Sequence, residues 1–178
     1  VVACGSDSTA PPHTGQIPDF VYVSNQNGND QLFTYKAGTT ALLPGSVAGD
    51  NDPQSAHGRI VFTGYRDNPS NAEIYSTNID GGDLQRLTTN GAQDYQPSPS
   101  PDGSQVAFVS LRSGTSRLWI RDSNGSNPTA MSTGSATSSP ESAPRFSPDG
   151  TTILFDSPRT GTSQLFKMPE AGGEATQL

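Results

Sequence analysis

Gln96-Pro97-Ser98-Pro99-Ser100-Pro101-Asp102-Gly103, followed by Val106-Ala107-Phe108-Val109-Ser110 and then Leu118-Trp119-Ile120, is the stretch whose reading decides the fold. Pro101-Asp102-Gly103 encodes a tight turn: proline presets φ, the aspartate bonds its own backbone, and glycine accepts a positive φ. The run after it is too short for a helix and apolar at nearly every position, as in a strand covered on both faces. The same pattern returns 47 residues later. There it reads Ala143-Pro144-Arg145-Phe146-Ser147-Pro148-Asp149-Gly150, then Ile153-Leu154-Phe155-Asp156-Ser157, then Leu165-Phe166-Lys167-Met168.

Two more worn copies lie upstream. One opens at Asp52-Pro53, has His57-Gly58 at the turn, and continues through Ile60-Val61-Phe62-Thr63, Glu73-Ile74-Tyr75, Asp80-Gly81-Gly82 and Arg86-Leu87-Thr88. The other keeps only its later parts, Phe20–Ser24, Leu32–Tyr35 and Ala41–Leu43. The phases agree: Phe62, Phe108 and Phe155 are 46 and 47 residues apart, and Gly81, Gly125 and Gly172 are 44 and 47 apart. Four short strands in a repeat of this length make one propeller blade. The expectation is therefore an all-β chain, a β-propeller or a run of four four-stranded blades, with no helix longer than about two turns. The divisions fall at about 17–48, 49–90, 91–134 and 135–178, after a flexible segment 1–16.

Composition fits this reading only because of how the residues are distributed. Leu, Ile, Val and Phe make up about 17 % of the 178 residues, and the net charge is −7, close to the border of disorder. The apolar residues nevertheless cluster in runs of three to five between Gly, Pro, Ser, Asn and Asp. Lys36 and Lys167 are the only lysines, so no basic stripe is available for nucleic acid. No apolar run approaches the roughly 20 residues that span a bilayer as a helix.

Taken together, Pro-x-x-Ser-Pro-Asp-Gly, x-x-Ile-x-Phe-x-Ser-x-Arg, an aromatic and aliphatic triplet, Asp-Gly-Gly and Leu-Thr resemble the WD-like repeat of the TolB periplasmic propeller family. The resemblance covers about 19–178 and is strongest in the last two copies. It implies a periplasmic or cell-surface scaffold that binds other envelope proteins through its loops and axial face. That family usually carries a large hydrophobic or aromatic residue shortly before Ser-Pro-Asp-Gly, a place that Phe146 nearly fits. Pro99 does not match it, so an irregular innermost strand is expected there.

The start of the chain carries a second resemblance. Val1-Val2-Ala3-Cys4 is similar to a bacterial lipoprotein lipobox, and the Ser/Pro-rich residues after it to the tether that follows an acylated cysteine. It implies a lipid on Cys4, the single cysteine, as the only link to a membrane.

Candidate chemistry is sparse. The two histidines are His13 in the N-terminal segment and His57 in a turn, and no Gly-x-Ser-x-Gly elbow occurs. His57 beside Asp50 and Asp52 reads as a turn residue of a degenerate repeat before it reads as a metal or acid–base cluster. Asp102 and Asp149 are turn formers before they are a glycosidase carboxylate pair. Asp50-Asn51-Asp52 and Asn78-Ile79-Asp80 offer oxygen ligands for calcium without a full loop motif. Phe33, Tyr75, Trp119 and Phe166 share one third-strand position and are expected between blades. The Ser/Thr-rich stretch 126–140 is expected as an exposed loop. No catalytic, cofactor or metal residues are assigned. The expected role is a non-enzymatic interaction module of the envelope. The alternatives are a self-assembling extracellular filament subunit and a propeller accessory domain of an exported peptidase or sugar lyase.

Closure of a ring is left open by the sequence. The first copy lacks an innermost strand, and Thr14–Ile17 is the upstream segment available to supply it. A fragment of a longer propeller, a small ring of four blades and edge pairing with another copy all remain.

Overall fold

The computed structural model describes residues 20–26, 28–132 and 139–178. The lipobox-like residues through Cys4, and Thr14–Ile17, lie outside them. Among the described residues every regular element is a β-strand, and the strands form four antiparallel sheets in chain order. The first sheet holds β1 (Phe20–Ser24), β2 (Gln31–Lys36) and β3 (Thr39–Leu42). The second holds β4 (Asn51–Ala56), β5 (Arg59–Gly64), β6 (Glu73–Asn78) and β7 (Gln85–Arg86). The third holds β8 (Asp94–Pro99), β9 (Gln105–Ser110), β10 (Arg117–Asp122) and β11 (Thr129–Ala130). The fourth holds β12 (Ser142–Phe146), β13 (Thr152–Ser157), β14 (Gln164–Pro169) and β15 (Thr176–Gln177). The first sheet thus has three strands among the described residues, where each later one has four.

Cross-strand register explains the repeated aromatics. Phe62 faces Tyr75, Phe108 faces Trp119, Phe155 faces Phe166, and in the first sheet Tyr22 faces Phe33. In the last three blades this pair sits on the side that meets the preceding blade. There it packs on an aliphatic trio from the back of its neighbour. Phe62 and Tyr75 cluster with Val21, Leu32 and Leu43. Phe108 and the half-buried Trp119 cluster with Val61, Ile74 and Leu87. Phe155 and Phe166 cluster with Ala107, Leu118 and Met131. Phe62, Phe108 and Phe155 are all buried, as the repeat phase predicts. Both faces of a central blade are therefore dry, which lets short strands build a core from few apolar residues.

The turns show how the copies diverge. Ser100–Ser104 joins β8 to β9, and Gly103 N–H donates to the Ser100 carbonyl at 2.9 Å. In the second blade the same connection shrinks to His57-Gly58, with φ of 50° and 76°. Positive φ at both central residues is the mark of a two-residue hairpin turn that matches strand twist. His57 is thus a turn residue. The stretch 126–140 is not all loop: Thr129–Ala130 forms β11, Met131 is buried in the core, and residues 133–138 lie outside the described set.

Packing links each blade to its neighbour in sequence: β1 and β2 against β4, β4 to β6 against β8, and β8 to β10 against β12. The first and fourth blades share no such packing. Among the described residues the four sheets form an open arc.

Candidate functional site

Three strands line the inner edge of the arc, β4, β8 and β12, each packed on the next. All three are bulged at the same place. Pairing with the second strand slips between Asn51 and Gln54, between Tyr95 and Ser98, and between Ser142 and Arg145. The residue inside each bulge has a positive φ: Asp52 at 50°, Gln96 at 53° and Ala143 at 51°. Each is followed by proline, Pro53, Pro97 or Pro144. Proline lacks the N–H that a regular ladder needs, so within a sheet it belongs at a bulge. The irregularity expected of the strand with Pro99 is thus general to the inner strands, but Pro99 itself pairs with Val106, and the bulge lies at Gln96-Pro97, two residues earlier.

The bulges carry a polar row across three blades. The Thr63 hydroxyl donates to Asp52 Oδ2 at 3.4 Å, and Gln96 N–H donates to Thr63 Oγ1 at 3.1 Å. The Gln96 side chain in turn accepts Ala143 N–H at 2.9 Å, and Ser98 Oγ accepts Phe146 N–H at 3.2 Å. Arg145 closes the row on the fourth blade, its guanidinium donating to the Pro144 carbonyl at 2.7 Å. Asp52 reaches solvent at the rim, but the surrounding protein strips part of its hydration and pushes its carboxyl above the usual range. The Thr63 hydroxyl, the positive field of Arg145 and Gln96 N–H pull the other way. An acid and a guanidinium therefore share one inner face, on a backbone re-aimed by bulges. Sequence reading singled out Asp52 as a candidate calcium ligand and as a neighbour of His57 in a possible metal or acid–base cluster, and passed over Gln96 and Arg145. The available signal was the residue beside each spaced proline.

Behind this row lies a second, buried set of charges. Asp50 accepts Arg66 through both oxygens, at 3.0 and 2.6 Å, as well as Val47 N–H at 2.8 Å and the Ser46 hydroxyl at 3.1 Å. Asp94 accepts Arg112 at 2.8 Å and the Asn90 amide. Glu141 accepts Arg159 at 2.6 Å, the Ser132 hydroxyl at 2.6 Å and Leu118 N–H of the preceding blade at 3.0 Å. All three acids are fully buried. Each arginine also lies over the aromatic pair of its own blade: Arg66 is 5.0 Å from Phe62, Arg112 is 4.3 Å from Trp119, and Arg159 is 4.8 Å from Phe166. These are junction locks, in which a blade's acid and arginine hold the outer turn of the blade before it. In the first blade Gln26 stands where the others carry arginine, four residues after the strand aromatic.

The locks account for the calcium candidate Asp50, whose oxygens are taken by a cation already present. The other candidate, Asp80, accepts Gly82 N–H in its own turn at 3.0 Å. Asp102 and Asp149 act within their turns. Asp102 accepts the Ser100 hydroxyl at 2.5 Å and Ser104 N–H at 3.0 Å, and these bonds draw its carboxyl down to about 2. Asp149 accepts Ser147 and Thr151 in the same way, and its carboxyl is likewise lowered. Among the described residues no group of three or more His, Cys, Asp or Glu is placed to hold a metal.

Comparison with known proteins fits this architecture. Over 87 residues the chain is 36 % identical to the Tol-Pal system protein TolB of Francisella tularensis subsp. tularensis, covering 48 % of this chain and 20 % of that one. A TolB homolog from Chlorobaculum tepidum is 36 % identical over 64 residues, 36 % of this chain and 14 % of its own. The chain thus matches a fifth or less of the length of these relatives. A solved TolB structure from Agrobacterium tumefaciens superposes with a TM-score of 0.77 at 22 % identity, over 89 % of this chain and 60 % of that chain. The fold is that of a TolB-like propeller. No family model matches. The same fold also occurs in a solved enzyme structure. A puromycin-hydrolysing peptidase of Mycobacterium tuberculosis superposes with a TM-score of 0.65 at 15 % identity, over 95 % of this chain and 28 % of its own.

Proposed function

We propose that this chain is a non-enzymatic interaction module of the bacterial cell envelope, and that its inner row receives a segment of another envelope protein. The observation that carries the reading is the row itself. Asp52, Gln96 and Arg145 come from three blades onto one face, and Asp52 is held in a setting that raises the cost of its charge. A carboxylate placed against its own solvation favours a partner more than it favours the fold. The Tol-Pal system, named for the Francisella relative, supports a location in the periplasm or at the cell surface. A lipid on Cys4 and the tether that follows it, up to residue 16, would hold blades 17–178 near a membrane.

A photo-crosslinking residue at Gln54, on the inner strand β4, tests this in cells of the native host. It should capture an envelope protein, and Asp52→Lys should abolish capture while the circular dichroism spectrum stays unchanged. Equal capture from Gln164, on the outer part of the fourth blade, would overturn it. Mass spectrometry of the native protein tests the anchor: an acylated Cys4 at the N-terminus is expected, and retained Val1–Ala3 would refute it.

The second reading, an accessory domain of an exported peptidase or sugar lyase, draws support from the peptidase superposition. The length of the complete gene discriminates. A catalytic domain encoded in the same frame would favour the second reading over the first.

A further inference from the structure

Asp122-Ser123-Asn124-Gly125-Ser126, in the turn between β10 and β11, carries a pattern that the fold does not account for. Asn-x-Ser or Asn-x-Thr, with any residue but proline between, is the acceptor pattern for a sugar on the asparagine amide. Asn124-Gly125-Ser126 is the one complete match in the sequence. Asn68-Pro69-Ser70 and Asn127-Pro128-Thr129 both carry the disallowed proline.

Turn chemistry does not require this pair. Gly81, Gly125 and Gly172 close equivalent turns, their N–H groups donating to the Asn78, Asp122 and Pro169 carbonyls at 2.9 Å in each case. The residue before the glycine is Asp80, Asn124 or Ala171, and the residue after it is Gly82, Ser126 or Gly173. The fourth blade thus makes the same bond with no polar side chain at either place. Asn124 and Ser126 are both exposed. Asn124 Oδ1 accepts the Ser126 N–H at 2.9 Å and the Ser126 hydroxyl at 2.7 Å, which holds the two side chains of the acceptor pattern side by side. The Asn124 amide nitrogen donates to no group among the described residues, so a sugar on it breaks no bond of the fold. Because β11 is only two residues long, the segment can lift from the blade at little cost to reach an enzyme. Its place is the outer edge of the third blade, with β9 and β10 between it and the inner strand β8.

We infer that Asn124 is an N-glycosylation site whose sugar donor is a lipid-linked glycosyl diphosphate. The inference rests on the envelope location proposed above, since such a donor is borne by a membrane. In the transfer, Asn124 Nδ2 forms a bond to the anomeric carbon of the sugar and gives up a proton. The anomeric C–O bond to the diphosphate breaks, and the lipid diphosphate leaves with the electron pair. The glycan projects from the outer edge of the third blade and leaves the inner row of Asp52, Gln96 and Arg145 open.

The test is mass spectrometry of the protein recovered from the envelope fraction of its native host, with fragmentation of the tryptic peptide 122–145 that preserves sugar linkages. The expected result is a glycan on Asn124 and none on the proline-blocked Asn68 or Asn127. Asn124→Gln and Ser126→Ala should each abolish the added mass, and Asn127→Gln should leave it in place. Circular dichroism checks that the variants fold. An unmodified peptide from protein recovered in the envelope would overturn the inference and leave the location standing. A chain confined to the cytoplasm would overturn both. Sugar found on the neighbouring serines or threonines instead, or sugar that survives Asn124→Gln, would equally rule out Asn124 as the acceptor.

Discussion

Asp102 shows how much of this fold rests on small local bonds. Its carboxylate accepts two hydroxyls and a backbone N–H within one turn, which holds its pKa at about 2 against an ordinary 3.8. A carboxyl whose pKa is lower in the folded state stabilises that state above the unfolded value and stops doing so as pH falls through the folded one. The contribution is thus present above about pH 4 and disappears toward pH 2. An NMR titration of the Asp102 carboxyl should give a midpoint well below that of a free aspartate, and Asp102→Asn should flatten the acid limb of the stability profile. Glu141 is the opposite kind of residue, a buried charge tied to Arg159 at 2.6 Å. Glu141→Ala should cost roughly 3–5 kcal/mol, since it leaves a guanidinium unpaired and strips Leu118 N–H of its acceptor. Urea unfolding of Glu141→Ala, Arg159→Met and the double variant checks this: the double should lose less than the two singles summed.

At the scale of elements, the turn between third and fourth strands does more than reverse the chain. Gly81, Gly125 and Gly172 have φ near 86°, and each presses on the end of the preceding blade's outer strand. A Cβ on Gly81 would lie 2.2 Å from the Pro44 carbonyl oxygen, and one on Gly172 would lie 2.8 Å from that of Met131. The glycine whose spacing marks the repeats is thus also the point where one blade seats on another. Gly58 has a positive φ too, but a Cβ there would meet nothing within 4 Å. Gly58→Ala should therefore cost only the left-handed penalty of about 1–2 kcal/mol. Gly81→Ala should cost a further 1–3 kcal/mol, roughly, for the steric clash. Chemical denaturation of the two variants side by side measures the difference.

Across the whole molecule, stability is distributed as in a chain of nearest neighbours. Among the described residues each blade packs chiefly on the one before and the one after, so the second and third blades are stabilised at two junctions and the first and fourth at one. Native-state hydrogen exchange should therefore find its slowest amides in β9 and β10, which lie under both neighbours. Amides of β14 and β15 should exchange faster, beneath the exposed Leu165 and Leu178. Uniform protection across all four sheets would mean that the arc opens only as a unit.

Much of this was legible before any coordinates. The spacing of Phe62, Phe108 and Phe155, and of Gly81, Gly125 and Gly172, determines the strands, their order and the buried aromatics, because those positions answer to period and turn chemistry, which are local. Asp102 and Asp149 as turn formers, and His57 as a turn residue, follow from the same local rules. What only the tertiary structure decided depends on residues far apart in sequence. Asp50, Asp94 and Glu141 are 16 to 18 positions before the arginines they bind, and nothing in a charge 18 residues away marks it as a partner until two strands and a junction bring it there. The row of Asp52, Gln96 and Arg145 exists because three bulges fall at one height on three successive blades.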